Sequence, residues 1–221
     1  MTTQQNYVKP ILPSGIYGMT ARKFSRGRSN IDVVQQMIAG GAKIIQYREK
    51  RPQTSHRVML DECRQLRALT REHDVLFIVN DHVDIAMLTD ADGVHVGQDD
   101  LPVDQVRKLV GPNKIIGLST HSPQQAQEAM DLGADYIGVG PIFSTRTKDD
   151  VCDPVGLEYL AYAVKNVTIP FVAIGGIKTN NIEQVSRLGA KTICLVTEIV
   201  GADDIAAMTR TLLAQMVSSQ T

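Results

Sequence analysis

The stretch Gly40-Gly41-Ala42-Lys43-Ile44-Ile45-Gln46-Tyr47-Arg48-Glu49-Lys50 contains the unit that decides the fold. A glycine pair closes the segment before it, because Gly accepts the left-handed conformation that ends a helix. Residues 43–50 then read as a strand with an apolar body and a polar end. The same joint returns as Asp92-Gly93, Gly133-Ala134 and Gly189-Ala190, each just before a strand. Outward from these joints lie eight candidate strands, at residues 15–20, 43–50, 75–81, 93–97, 115–120, 136–141, 170–176 and 192–199. Most are near-continuous apolar runs, the pattern of parallel strands buried on both faces. Helical spacing fills the gaps: Ile31, Val34 and Ile38 in residues 30–40; Val58, Leu66 and Leu69 in 55–73; Ala126, Ala129 and Met130 in 123–132; Ile205, Met208, Leu212 and Met216 in 202–217. Ser29-Asn30, Ser122-Pro123 and Thr179-Asn180 supply helix starts. Eight β–α units in 221 residues predict an α/β protein with one (β/α)8 TIM barrel over residues 15–221 and an N-terminal arm over 1–14. A doubly wound open sheet is the alternative, weakened because no G-x-G-x-x-G follows the first strand.

Composition narrows the function. Hydrophobic residues make up 43% and charged residues 21%, which excludes a disordered or disulfide-stapled chain. A formal net charge of −1 without a dense Lys/Arg tract offers no footprint for nucleic acid or an acidic membrane. No apolar run approaches the ~20 residues of a spanning helix. Met1–Asn6 lacks the basic and apolar regions of a secretory signal. Cys63, Cys152 and Cys194 are far apart and form no C-x-x-C pair, so the expected location is a reducing cytoplasm. A homo-oligomer is left open.

In a barrel of this kind the C-terminal strand ends line the active site. Polar residues gather there, which predicts an enzyme. Strand 2 ends in Gln46, Arg48 and Lys50, spaced by two and so on one face; two cations and an amide suit an anionic group. A surface pair of Arg48 with Glu49 is the plainer alternative. Asp81 and Asp100 close neighbouring strands 3 and 4, and two hard carboxylates with no His or Cys beside them suit Mg2+. Asp99 stands beside Asp100 as an alternative ligand. Gly175-Gly176, followed by Ile177-Lys178-Thr179-Asn180 opening a helix, with Val196-Thr197 on strand 8, forms a second anion site of backbone N–H groups. His56 and His73 read as wet-face residues, and His82 as a helix-start residue. His95 reads as a core histidine or a site residue, and His121 stays open. Cys152 has no basic partner nearby in sequence to make it a nucleophile.

These residues resemble the signatures of the thiamine phosphate synthase family. The resemblance rests on Gln46–Lys50, Asn80-Asp81, residues 93–100, Gly117–His121, Gly138–Phe143, Thr145–Lys148 and Ile174–Ile177, in order, across roughly residues 15–200. The family is a TIM barrel that joins 4-amino-2-methyl-5-hydroxymethylpyrimidine diphosphate to 4-methyl-5-(2-phosphoethyl)thiazole, releases diphosphate and uses Mg2+. The resemblance implies that Gln46, Tyr47, Arg48, Glu49, Lys50 and Asn80 hold the pyrimidine diphosphate, with Arg48 and Lys50 on its phosphates. Asp81 and Asp100 would hold Mg2+. Ser119 and Lys148 would reach the departing diphosphate. Thr145, Arg146 and Thr147, with Gly176, Val196 and Thr197, would belong to the substrate-binding set, all but Arg146 on the thiazole phosphate. The catalytic residues would be Ser119, Lys148 and Arg48.

The chain departs from the pattern at Ala21, where many relatives carry an acid, at Thr197, where Ser is commoner, and at Ser144, where Pro often stands. A thiazole tautomerase shares the barrel but lacks most diphosphate and metal residues, and a non-catalytic phosphate-binding barrel is the third reading. The aminopyrimidine can share a lone pair with its methylene, so the expected reaction is dissociative. The thiazole nitrogen is already a free nucleophile, and no general base is required for its attack.

Overall fold

The computed structural model describes residues 9–50, 54–145 and 153–218. The strands are β1 Gly15–Met19, β2 Ile44–Tyr47, β3 Leu76–Asn80, β4 Gly93–Val96, β5 Ile115–Thr120, β6 Tyr136–Val139, β7 Phe171–Ile174 and β8 Thr192–Leu195. The helices are α1 Asn30–Ala39, α2 His56–Glu72, α3 Val83–Leu88, α4 Val103–Val110, α5 Pro123–Asp131, α6 Gly156–Asn166, α7 Ile182–Arg187, α8 Thr197–Val200 and α9 Ile205–Ser218. Each strand pairs in parallel with the next, and β1 pairs with β8, with Gly15 opposite Thr192 and Gly18 opposite Leu195. That closure excludes the doubly wound sheet.

Local chemistry explains the elements. Ser29, Ser55 and Ser122 cap α1, α2 and α5, their side chains accepting from the N–H of Asp32, Val58 and Gln125; such a cap is worth about 1 kcal/mol. The start expected at Thr179-Asn180 is displaced. Helix α7 begins at Ile182 behind Asn181, whose side chain accepts from Lys178 N–H instead. Gly41, Gly133 and Gly189 take positive φ at the helix-to-strand joints. The joint before β4 works differently. Asp90 takes the left-handed turn at φ 51°, while Gly93 is needed because a Cβ there would lie 2.2 Å from Ile115 O.

The alternation of each strand divides its side chains between two layers. Tyr17, Ile44, Ile78, Ile115, Tyr136, Val172 and Cys194 fill the barrel interior. Ile16, Ile45, Phe77, Val94, Ile116 and Ile137 pack outward under the helices, each fully buried aliphatic contributing roughly 1.5–3 kcal/mol. At the lower rim, the Arg67 guanidinium grips the Asp92 carboxylate at 2.7 and 2.8 Å while Asp92 accepts from Phe77 N–H. Arg107, Asp135 and Ile116 N–H repeat that arrangement at β5 and β6. Of the expected arm, residues 1–8 lie outside the described residues. Lys9 pairs with Asp135, and Pro13 O accepts from the Thr192 hydroxyl, against the N-terminal ends of the strands. Among the described residues no helix is long and apolar enough to cross a membrane.

Candidate active site

The polar residues expected at the strand ends share one mouth, but they do not all face it. Strand β2 stops at Tyr47, so the alternation read through residue 50 ends early. Gln46 points into the barrel and is 1% exposed. Tyr47, one residue on, points outward. It is buried in the helix-facing layer and donates to Glu62 Oε2 at 2.7 Å; burial and that acid push its phenol well up. Arg48 N–H donates to Thr20 Oγ1 at 2.8 Å, and Arg48 Nε is buried without a hydrogen-bond partner among the described residues. The Glu49 carboxylate also turns from the mouth, accepting from Arg22 N–H at 3.0 Å. Burial raises its pKa, against the lowering effect of the Arg22 and Asn30 donors. Lys50 is exposed and pairs with Asp81 at 2.7 Å. Of the run, Gln46 and Lys50 are therefore turned toward the barrel and its rim, whereas the Glu49 carboxylate serves the β1–α1 link and the Tyr47 phenol serves α2.

Asn80 ends β3 and is buried. Asp81 follows in the left-handed region at φ 60°, where its N–H donates to His95 O at 2.8 Å. Asp100 Oδ2 accepts from Gly97 N–H at 2.7 Å, so a short turn after β4 holds this carboxylate. Among the described residues no three His, Cys, Asp or Glu side chains cluster as a self-sufficient metal site. Two carboxylates on adjacent strand ends still fit Mg2+, which takes few protein ligands and completes its shell with water and phosphate oxygens. The Lys50–Asp81 pair places the cation beside one of these acids.

Behind the mouth lies a feature that sequence reasoning missed. Gln46 Nε2 donates to Tyr17 OH at 2.9 Å, and Tyr17 OH lies 2.9 Å from Tyr136 OH. Tyr136 OH meets His95 Nδ1 at 3.0 Å, and His95 Nε2 meets Ser119 Oγ at 3.0 Å. Five side chains from β1, β2, β4, β5 and β6 thus form one line across the barrel. Gln46 Oε1 is left buried without a partner among the described residues. Counting by twos from Gln46 or Ser119 finds the inward positions of β2 and β5, but no local signal says which parity of β1 or β6 faces in. His121 is occupied elsewhere, its Nδ1 2.5 Å from Gly140 O.

On the far side of the mouth, Gly175 and Gly176 take φ 99° and 63°. A Cβ at Gly175 would lie 2.4 Å from Pro141, and one at Gly176 2.6 Å from Ser144 O. The strand expected to run through residue 199 ends at Leu195. Val196 caps α8 and Thr197 opens it, so both leave the sheet. The Glu198 carboxylate accepts from Thr179 N–H and hydroxyl at 3.0 and 2.9 Å, tying α8 to the loop after β7. Thr145 is half-buried at the end of the β6 loop. Arg146, Thr147, Lys148 and Cys152 lie outside the described residues.

Similarity to known proteins agrees with this geometry. The family model for thiamine monophosphate synthase matches residues 16–199. A thiamine-phosphate synthase of Pelotomaculum thermopropionicum is 65% identical over 92% of this chain and 93% of its own. One of Lawsonia intracellularis is 56% identical over 88% of each. The solved structure of a thiamine phosphate pyrophosphorylase from Pyrococcus furiosus superposes with a TM-score of 0.85 at 37% identity, covering 94% of this chain and 97% of that one. A 3-hexulose-6-phosphate synthase, at 19% identity and a TM-score of 0.63, shares the fold alone. With a match spanning nearly the whole barrel and its mouth, this chain belongs to the thiamine monophosphate synthase family.

Proposed function

We propose that this protein is a thiamine-phosphate synthase, a transferase that joins the aminopyrimidine diphosphate to the thiazole phosphate and releases diphosphate. The observation that carries the reading is the Lys50–Asp81 pair at the ends of β2 and β3, with Asp100 held after β4 and Ser119 at the end of β5, in a chain of this family. Arg48 and Lys50 would bind the diphosphate, whose charge rises as the carbon–oxygen bond breaks. Cations held in place beforehand stabilise that charge without reorganising. Mg2+, held by Asp81 and Asp100, would supply Lewis-acid stabilisation of the same phosphate oxygens. The unpartnered Gln46 Oε1 is an acceptor suited to an N–H donor such as the pyrimidine amino group. Asn80 would touch the same substrate, and the Ser119 hydroxyl would meet the leaving group.

Thr145 and Thr147, with Gly176, Val196 and Thr197, would hold the thiazole phosphate, Arg146 would belong to the substrate-binding set beside them, and Lys148 would reach the diphosphate from the β6 loop. Tyr47 and Glu49 support this site from behind instead of touching substrate. Cys63 and Cys194 are buried, which suits a reducing cytoplasm.

Diphosphate release measured with each substrate alone and with both together tests the proposal. Release only with both supports it. Isomerisation of the thiazole phosphate without diphosphate would make the protein a tautomerase, and binding without turnover would make it a phosphate-binding barrel.

A further inference from the structure

The line of hydrogen bonds from Gln46 to Ser119 has a direction, because each group along it has a limited set of hydrogens. An amide nitrogen only donates, so Tyr17 oxygen accepts from Gln46 Nε2 at 2.9 Å. Tyr17 keeps one hydrogen of its own for Tyr136 OH at 2.9 Å, where either oxygen can be the donor. In the sense that starts from the amide NH2, Tyr136 then gives its hydrogen to His95 Nδ1 at 3.0 Å. An accepting Nδ1 carries no proton, so a neutral imidazole carries it on Nε2, 3.0 Å from Ser119 Oγ.

We propose that Tyr17, Tyr136 and His95 are positioning residues that hold Ser119 as a hydrogen-bond donor: Ser119 Oγ accepts from His95 Nε2–H, and its own O–H is directed away from the imidazole. The proposal rests on reading this mouth as the synthase site, and it assigns Ser119 a donor role toward the departing diphosphate. The reverse sense would start from a Gln46 carbonyl accepting from Tyr17. It would end with Ser119 donating to His95, which would make the serine a base-activated acceptor. The two senses therefore predict opposite chemistry at one hydroxyl.

One observation favours the donor sense, and two more hold the line together in either sense. Gln46 Oε1 is the amide atom left buried and unpartnered, so the carbonyl is kept for a ligand while the NH2 serves the line. Both phenols are buried, which raises their pKa values and keeps one hydrogen on each. The backbone also makes room for this contact. A Cβ at Gly117 would lie 2.2 Å from Tyr136 Cζ and 2.4 Å from His95 Nδ1, so glycine there admits the ring pair at bonding distance.

The test is nitrogen-15 NMR on protein labelled at histidine, with His95 assigned by comparison with His95→Gln. The expected spectrum has a pyridine-like Nδ1 and a pyrrole-like Nε2. A pyrrole-like Nδ1, or two protonated nitrogens, overturns the proposal. This measurement needs no substrate. If the expected tautomer were found in a protein that released no diphosphate, the functional reading would fall while the arrangement stood. Kinetics add a readout that a merely structural role would not move. Tyr136→Phe and Tyr17→Phe each remove one link while keeping the ring. Each is expected to lower kcat about three- to tenfold, the scale of one net hydrogen bond, with the KM of both substrates nearly unchanged. Wild-type kcat in both folded variants refutes the positioning role.

Discussion

Gly117→Ala and Gly138→Ala are the same chemical change at two inward-facing positions of neighbouring strands, and the structure assigns them different outcomes. Neither glycine has positive φ, so alanine suits both backbones. In each case it stiffens the unfolded chain, a gain of about 0.4–1 kcal/mol. At Gly138 the nearest atom to a new Cβ is His95 Cε1 at 3.5 Å, an ordinary contact. At Gly117 the new methyl overlaps Tyr136 Cζ at 2.2 Å and His95 Nδ1 at 2.4 Å. Tyr136 is 1% exposed, and both atoms overlapped belong to rings held in the line of hydrogen bonds. Relieving such overpacking costs about 1–3 kcal/mol, which outweighs the gain. A net loss of ~1–2 kcal/mol in a domain of this size lowers Tm by roughly 2–8 °C. Separating the two rings should also break the link to Ser119 and lower kcat by about the factor of one hydrogen bond, near tenfold. The assay is thermal unfolding with steady-state diphosphate release for the two variants side by side. Gly138→Ala should match or exceed the parent in Tm and keep its kcat. Equal Tm and equal kcat in both variants would refute the packing argument and the line of bonds together.

Asp81→Asn and Asp100→Asn should each raise the Mg2+ concentration needed for half-maximal rate and cost ~2–4 kcal/mol of transition-state stabilisation. Asn is chosen because it tolerates the left-handed backbone of Asp81. Asp99→Asn should be milder, and a titration of rate against Mg2+ in which Asp81 and Asp100 variants track the parent would remove the metal assignment. Lys148→Ala should lower kcat and kcat/KM by similar factors with little change in the thiazole-phosphate KM, and a loss confined to that KM would place the lysine elsewhere. Glu49 has a raised folded-state pKa because burial disfavours its charge. The folded state therefore holds its proton to higher pH than the unfolded one, and stability falls as pH rises from the usual glutamate range through that raised value. Glu49→Gln keeps an acceptor for Arg22 N–H and should flatten this part of a Tm-against-pH curve; a curve parallel to the parent's would show that the carboxylate contributes nothing to it.

The β–α rhythm and the polar strand ends could be read from the sequence because their signals are local. A glycine joint, an apolar run of strand length and a serine cap each act within a few residues of their own position, and all eight strands lie inside their expected spans. The position of the loop acids, Arg48, Lys50 and Ser119 at or just beyond strand ends was legible for the same reason, since a strand's C-terminal end is marked by its own neighbours. Direction was not legible. A strand buried on both faces carries no amphipathic mark, so nothing in Gly15–Met19 or Tyr136–Val139 tells which side chains look into the barrel. Closure of the ring decides it, turning Tyr17 toward Gln46 and Tyr136 toward His95. The end of β8 is likewise a tertiary matter, because Thr197–Val200 reads as strand until Glu198 is drawn to Thr179. Tyr17 and Tyr136 are 119 residues apart. They meet only because eight tilted strands bring side chains of one level to a common axis, which is information held by the ring of strands and by no single one of them.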